Sequence, residues 1–230
     1  MPTPNGSHIS VTFDGIMQNL RNSVLMMSSL TERNLQNATK GLFERDDDLC
    51  NIAIADDEEI DQLEIQIDHD GVDILLRYNP LATDLRQVVT AMKSSVNIER
   101  IADQAVSIAR RARKLNVKPE LEAIRKLEPM FALAAGMFGD ATKAFSDSNV
   151  PLARSLKPRD KELDVLNHQF ADHCTELMAN EPENIQSYLN YIFIARSLER
   201  IGDHATNLGE DIVYSVAAEE VRHHQQGPIL

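Results

Sequence analysis

The stretch NIERIADQA at residues 97–105 returns as SLERIGDHA at 197–205, one hundred positions later. Self-similarity at a fixed offset marks one structural unit used twice, so the chain is restricted to folds with two similar halves. The apolar spacing says what each half is made of. Ile98, Ile101, Ala105, Ile108 and Ala112 recur at intervals of three and four, and Leu198, Ile201, Ala205, Leu208 and Ile212 superpose on them after a shift of 100. Ile60, Leu63, Ile67 and Ile74 form an earlier stripe, matched by Leu163, Leu166, Phe170 and Leu177 after a shift of 103. Phe13, Met17, Leu20, Val24 and Met27 form one more. This is the period of a helix with one buried face, not the alternation of a strand.

Prolines cut the pattern at Pro80, Pro119, Pro151 and Pro182, and an acidic break, ERDDDL, falls at 44–49. Proline cannot continue a helix interior and disfavours helix at the residue before it. Asp at the acidic break suits a helix start, by capping and by the dipole. Pro158 falls in the first turns of its helix or kinks it. Six helices are predicted near 11–43, 47–78, 81–114, 119–147, 150–179 and 183–217. Short connections make successive helices antiparallel neighbours. The chain therefore reads as all-α: two tandem antiparallel three-helix bundles, 1–117 and 118–218, with 219–230 as a flexible tail. Helices of ~30 residues are ~45 Å long, so the molecule should be elongated.

Composition narrows the partners. The chain has nine Gly, nine Pro and no Trp, which favours helices over a turn-rich sheet. Net charge is −13, divided as −5 over 1–118 and −8 over 119–230. Neither half would attract a phosphate backbone or an anionic lipid surface; cations and basic protein surfaces suit it better. Cys50 and Cys174 form no Cys-x-x-Cys unit and read as core residues. The longest apolar run, MFALAAGMF at 130–138, is far short of the ~20 residues of a spanning helix. MPTPNGSHIS lacks the features of a signal peptide, so a cytoplasmic location is expected.

The repeat also carries acid. Glu99/Asp103 and Glu199/Asp203 sit on the third helix of each half, and Asp57/Asp61 and Asp160/Asp164 on the second. Each pair is spaced by four, which puts both carboxylates on one helix face. Asp61 lies 19 residues before Pro80 and Glu99 lies 19 after it; Asp57 and Asp103 each lie 23 away. In the second half the pairs Asp164/Glu199 and Asp160/Asp203 share the midpoint 181.5, at the turn before Pro182. Equal arcs place the pairs level across an antiparallel hairpin. Four carboxylates should then meet in each half, beside the apolar stripe. Such a cluster is relieved by protonation, by the neighbouring Arg100 and Arg200, or by a cation, for which oxygen donors suit Mg, Mn, Ca or Fe. Spacing alone leaves open whether these faces form an arginine–carboxylate ion-pair network or a metal site.

LERIGDHATN, the earlier ERIAD, the helix-two patterns around Asp57/Ile60/Asp61 and Asp160/Leu163/Asp164, and NPLATDLRQVV after the first turn together resemble the PhoU family over nearly the whole chain. The resemblance implies a cytoplasmic, all-helical regulator linking a phosphate ABC transporter to a sensor histidine kinase and keeping starvation genes off when phosphate is plentiful. It implies a homodimer, with the transporter ATPase and the kinase as partners, no nucleic acid and no membrane insertion. It further implies a metal (Fe, Mn, Mg or Zn) at Asp57, Asp61, Glu99, Asp103, Asp160, Asp164, Glu199 and Asp203.

The first repeat has Gln104 and Ser107 where the second has His204 and Asn207. Asn207 continues the acidic face and is a second-rank ligand candidate. His204 points ~100° away from Asp203 and is read as flanking the site; His168 and His173 are read as structural. Two alternatives stand beside the regulator. A carboxylate di-metal enzyme needs Glu-x-x-His on two core helices, but here that pattern occurs only as Glu220/His223 in the tail. A purely structural helical module would use its charge pairs only for solubility.

Overall fold

The structure, a computed structural model, describes residues 5–221, with side chains from Phe13 onward. Among the described residues there is no strand. The first half holds α1 (Asn5–Phe43), α2 (Asp47–Ala55), α3 (Asp57–Tyr78) and α4 (Ala82–Asn116). A 3-10 segment at Glu122–Leu127 leads into α5 (Glu128–Asp147), α6 (Val150–Arg154) and α7 (Leu156–Asn180), and a second, Pro182–Asn184, precedes α8 (Ile185–Ala217). The expected tail is non-helical from Ala218 to Val221, and its remainder lies outside the described residues.

Local chemistry explains the boundaries. The Asp46 carboxylate caps α2, accepting from the amides of Asp48 (2.8 Å) and Leu49 (3.1 Å). Asn149 caps α6 in the same way through the Leu152 amide (3.0 Å). Asn79 closes α3 at φ 44°, in the left-handed region that Asn tolerates. The Arg45 guanidinium reaches the carbonyls of Leu115, Asn116 and Lys118, where a helix end is electronegative.

Four helices differ from the sequence expectation. The first, expected from 11, begins at Asn5. The one expected from 119 starts as an α-helix only at Glu128, because Pro129 fits a first turn and not an interior. The helix expected over 150–179 breaks at Ser155, since Pro158 cannot donate to the Arg154 carbonyl and crowds it. The helix expected over 47–78 is only kinked at Asp56, whose amide still donates to Ile52 (2.9 Å) while Arg33 of α1 holds its carboxylate (3.1 Å).

The halves join along a seam between α4 and α8. Arg86 Nε donates to the Ser215 carbonyl (3.1 Å), His204 Nδ1 lies 3.1 Å from Asn97 Oδ1, and Arg111 Nη1 donates to Asn190 Oδ1 (3.3 Å). Partner numbers fall as residue numbers rise, so α4 and α8 run antiparallel. At 35 residues α4 is roughly 52 Å long, and the molecule is elongated along this seam. Small buried residues, among them Ala91, Ser94, Ala102, Ala105 and Ala109 on α4, allow close approach. The Ile98/Ile101 and Leu198/Ile201 stripes belong to one continuous apolar core that also takes in α1 and α5. The register also sets the sites: Glu99 and Asp103 of α4 lie level with Glu199 and Asp203 of α8.

Candidate functional site

Asp57 opens α3, and Asp61 stands one turn on; Glu99 and Asp103 face them from α4. Burial raises the Asp57 carboxyl to about 6, with repulsion from Asp61 and Asp103 adding and Arg110 opposing. Glu99 is raised by burial and then by Asp103, with Arg100 opposing and Asp61 and Glu64 adding. The cross-hairpin pairs Asp57/Asp103 and Asp61/Glu99 are thus within electrostatic reach of each other. Arg100 lies over the outer edge, its Nε 3.3 Å from Glu99 Oε2 and its Nη1 3.3 Å from Asp103 Oδ2.

The second half repeats the arrangement on α7 and α8. Burial raises Asp160 to about 6, reinforced by Asp203, Asp164, Glu199 and Glu210. Glu199 is raised by burial, Asp203 and Asp164, against Arg196 and Arg200; Asp203 by burial and Asp164, against Arg200. Among the described residues none of these four carboxylates is in an ion pair. Gly202 stands where the first half has Ala102. A Cβ there would come 2.7 Å from Leu163 Cδ2 and 3.3 Å from Asp160 Oδ1. The missing side chain lets Asp160 approach the α8 backbone.

Like charges ~4 Å apart repel by about 1 kcal/mol in water and about 4 at an effective dielectric of 20. Both faces therefore hold negative charge that a cation would relieve, and the donors are all oxygen, as hard cations prefer. In charge and donor type the residues fit a metal. In geometry the faces are open: no three His, Cys, Asp or Glu side chains among the described residues gather closely enough to hold one as they stand.

Asn207 is exposed, one turn beyond Asp203. His204 lies in the seam against Asn97, and burial with Arg100 and Arg200 lowers its pKa against Asp103. His168 is exposed, its Nδ1 2.7 Å from the Asp164 carbonyl. The thiols of Cys50 and Cys174 are buried and pushed up to about 11 and about 12, chiefly by burial, so both are inert core groups.

Four charged residues at these faces were not singled out from the sequence; one is Arg196, which opposes at Glu199. Glu64 adds to Glu99, Glu210 adds to Asp160, and Arg110 opposes at Asp57. All stand three or seven residues from a motif acid, so helical spacing could have found them. An exposed apolar face was also missed: Ile65, Val72 and Leu76 share one side of α3.

Two hairpin-built halves with matched acidic faces around one core define a duplicated helical-bundle protein. The PhoU domain family matches the chain twice, over residues 24–112 and 127–212. The chain belongs to the PhoU family. It is 36% identical over 217 residues to the phosphate-specific transport system accessory protein PhoU homolog of Pseudomonas putida, covering 94% of this chain and 85% of that one. The crystal structure of PhoU from Pseudomonas aeruginosa superposes with TM-score 0.88 at 33% identity, covering 90% of this chain and all of that one (100%). The phosphate transport system regulatory protein PhoU from Streptococcus pneumoniae superposes with TM-score 0.83 at 26% identity, covering 91% and 99%. No helix among the described residues is long and apolar enough to cross a membrane.

Proposed function

We propose that this protein is a non-enzymatic regulator of phosphate uptake and phosphate-starvation signalling. It acts in the cytoplasm as an adaptor between the ATPase of a phosphate ABC transporter and a sensor histidine kinase, and restrains both when phosphate is plentiful. The observation that carries this reading is the double PhoU match, with relatives named as accessory and regulatory proteins of phosphate transport along nearly the whole chain.

The chemistry of the role is binding. Asp57, Asp61, Glu99 and Asp103 would hold a cation in the first half; Asp160, Asp164, Glu199 and Asp203 would hold one in the second, with Asn207 beside them. A bound divalent or trivalent ion supplies positive charge between paired helices. The carboxylates of α3 and α4, or of α7 and α8, then draw together instead of repelling. The half-buried setting of Asp57 and Asp160 favours this, because a desolvated carboxylate gains more from a cation than an exposed one. The exposed apolar face of α3 supports pairing with a second copy of the chain.

The test is genetic and biochemical. Deleting the chromosomal copy in the native host should derepress a phosphate-starvation reporter at high phosphate, and the wild-type chain should restore repression. The double change Glu199→Gln with Asp203→Asn should restore it only partly and reduce capture of the transporter ATPase and the kinase. A reporter indifferent to the deletion would remove the regulatory reading.

A further inference from the structure

In the first half the acidic face of α4 gives way, within two turns, to a basic one. Asp103, Ser107, Arg110 and Lys114 follow at spacings of four, three and four, so they share one side of the helix. With Asp57, Val106 and Arg111 they line a cavity of about 280 Å³ against the start of α3. Asp103 and Arg110 are ~10 Å apart along the axis, and Asp103 and Lys114 ~16 Å. The cavity thus has an acidic end and a basic end.

The cations at the basic end are not matched locally. Among the described residues neither Arg110 nor Lys114 is in an ion pair, although Arg110 lies near enough to Asp57 to oppose the rise in its pKa. Arg111 stacks 4.2 Å over the Phe193 ring and donates to Asn190, yet its Nε is buried without an acceptor. In a chain of net charge −13, such a group is not needed for solubility. Nor does the repeat dictate it. One hundred residues on, Ser107, Arg110, Arg111 and Lys114 correspond to Asn207, Glu210, Asp211 and Tyr214. There Lys157 holds Glu210 (2.8 Å) and Lys93 holds Asp211 (3.4 Å). The basic end belongs to the first half alone.

We propose that this basic end binds a small doubly charged oxyanion, inorganic phosphate or a phosphate monoester, held by Arg110 and Lys114 with the Ser107 hydroxyl donating. Guanidinium presents a planar fork that matches oxyanion geometry, and lysine adds a compact point charge. The acids at the far end oppose the anion. Asp57 lies within Coulombic reach of Arg110, and Asp103 stands ~10 Å from Arg110 along the axis; Coulomb energy falls with distance, so two cations in contact with the anion outweigh carboxylates that do not touch it. The inference does not need a metal on the acidic face.

The experiment is equilibrium dialysis of the full chain, stripped with EDTA, against inorganic phosphate and separately against glycerol phosphate. Saturable binding at one site per chain is expected, and the tighter of the two ligands identifies the source. Arg110→Ala with Lys114→Ala should weaken binding at least about tenfold, while Arg110→Lys with Lys114→Arg should retain it. Both side chains are exposed, so melting curves should match wild type; Arg110→Gln alone, weakening binding in part, is a second readout. Equal affinity in the double alanine variant, or no saturable binding of either ligand, overturns the proposal. So does binding that needs added Mn²⁺, survives the loss of Arg110 and Lys114 and disappears in Glu99→Gln with Asp103→Asn. That last pattern would leave the metal reading standing and put the anion on the metal.

Discussion

Glu99 and Asp103 are bridged by Arg100, whereas Glu199 and Asp203, in the same motif one hundred residues on, are in no ion pair among the described residues. The neighbours differ as well. The first face has Glu64 beside it and Arg110 opposing at Asp57; the second has Arg196 and Arg200 opposing without forming an ion pair among the described residues, Glu210 held by Lys157 (2.8 Å), and Gly202 admitting Asp160 toward α8. Duplication kept the eight acidic positions and let their surroundings drift. Only the first-face acids are in a direct arginine ion pair that a cation must displace, so the second face should hold a cation more tightly.

The comparison assumes that the halves share one body, and the core tests that assumption with the largest effect. Ile101 and Ile201 are matched and fully buried. Ile101→Ala and Ile201→Ala should each cost about 2–5 kcal/mol, and each should shift one cooperative denaturant transition. A variant that melts in two steps, one at the wild-type midpoint, would show two independent bundles.

The next effect is a pH dependence common to both halves. Asp57 and Asp160 sit at about 6 in the fold against an ordinary 3.8. The native state therefore binds more protons than the unfolded chain between those values. The stability they contribute is full below 3.8 and is lost as pH rises through about 6. In EDTA, calorimetry should give a smaller loss of Tm from pH 5 to pH 7.5 in Asp57→Asn and Asp160→Asn than in wild type. Parallel curves for all three proteins would mean that neither carboxyl is under strain.

How much of this was legible in the sequence follows from what each feature depends on. Helix identity came from the three-and-four spacing, and the level acid pairs came from equal arcs about Pro80 and the turn before Pro182. These are local or hairpin properties. The late start at Glu128 is local too, since Pro129 suits a first turn and not an interior. The antiparallel seam was not legible, because it depends on how two distant helices pack. The consequence for His204 was hidden with it: its contact, Asn97, lies on the other half of the chain. Arg110 and Glu210 could be seen, but their meaning emerged only once α3 and α7 were placed beside them.

The smallest effect concerns Arg100. Its side chain is 55% exposed, and such pairs contribute about 0–1 kcal/mol. Arg100→Ala should leave Tm nearly unchanged while tightening cation binding on the first face, since a competing charge is gone. Arg200→Ala, which breaks no ion pair among the described residues, should change second-face binding less. Equal responses would erase the distinction between the halves.

The central claim is that two acidic faces, level across one seam, each take up a cation. Titrating Mn²⁺ into EDTA-stripped protein, with free ion followed by electron paramagnetic resonance, addresses it directly. Two sites per chain should appear, the tighter lost in Glu199→Gln with Asp203→Asn and the weaker in Glu99→Gln with Asp103→Asn. Mn²⁺ uptake that is absent, or that both double variants leave intact, would contradict the account.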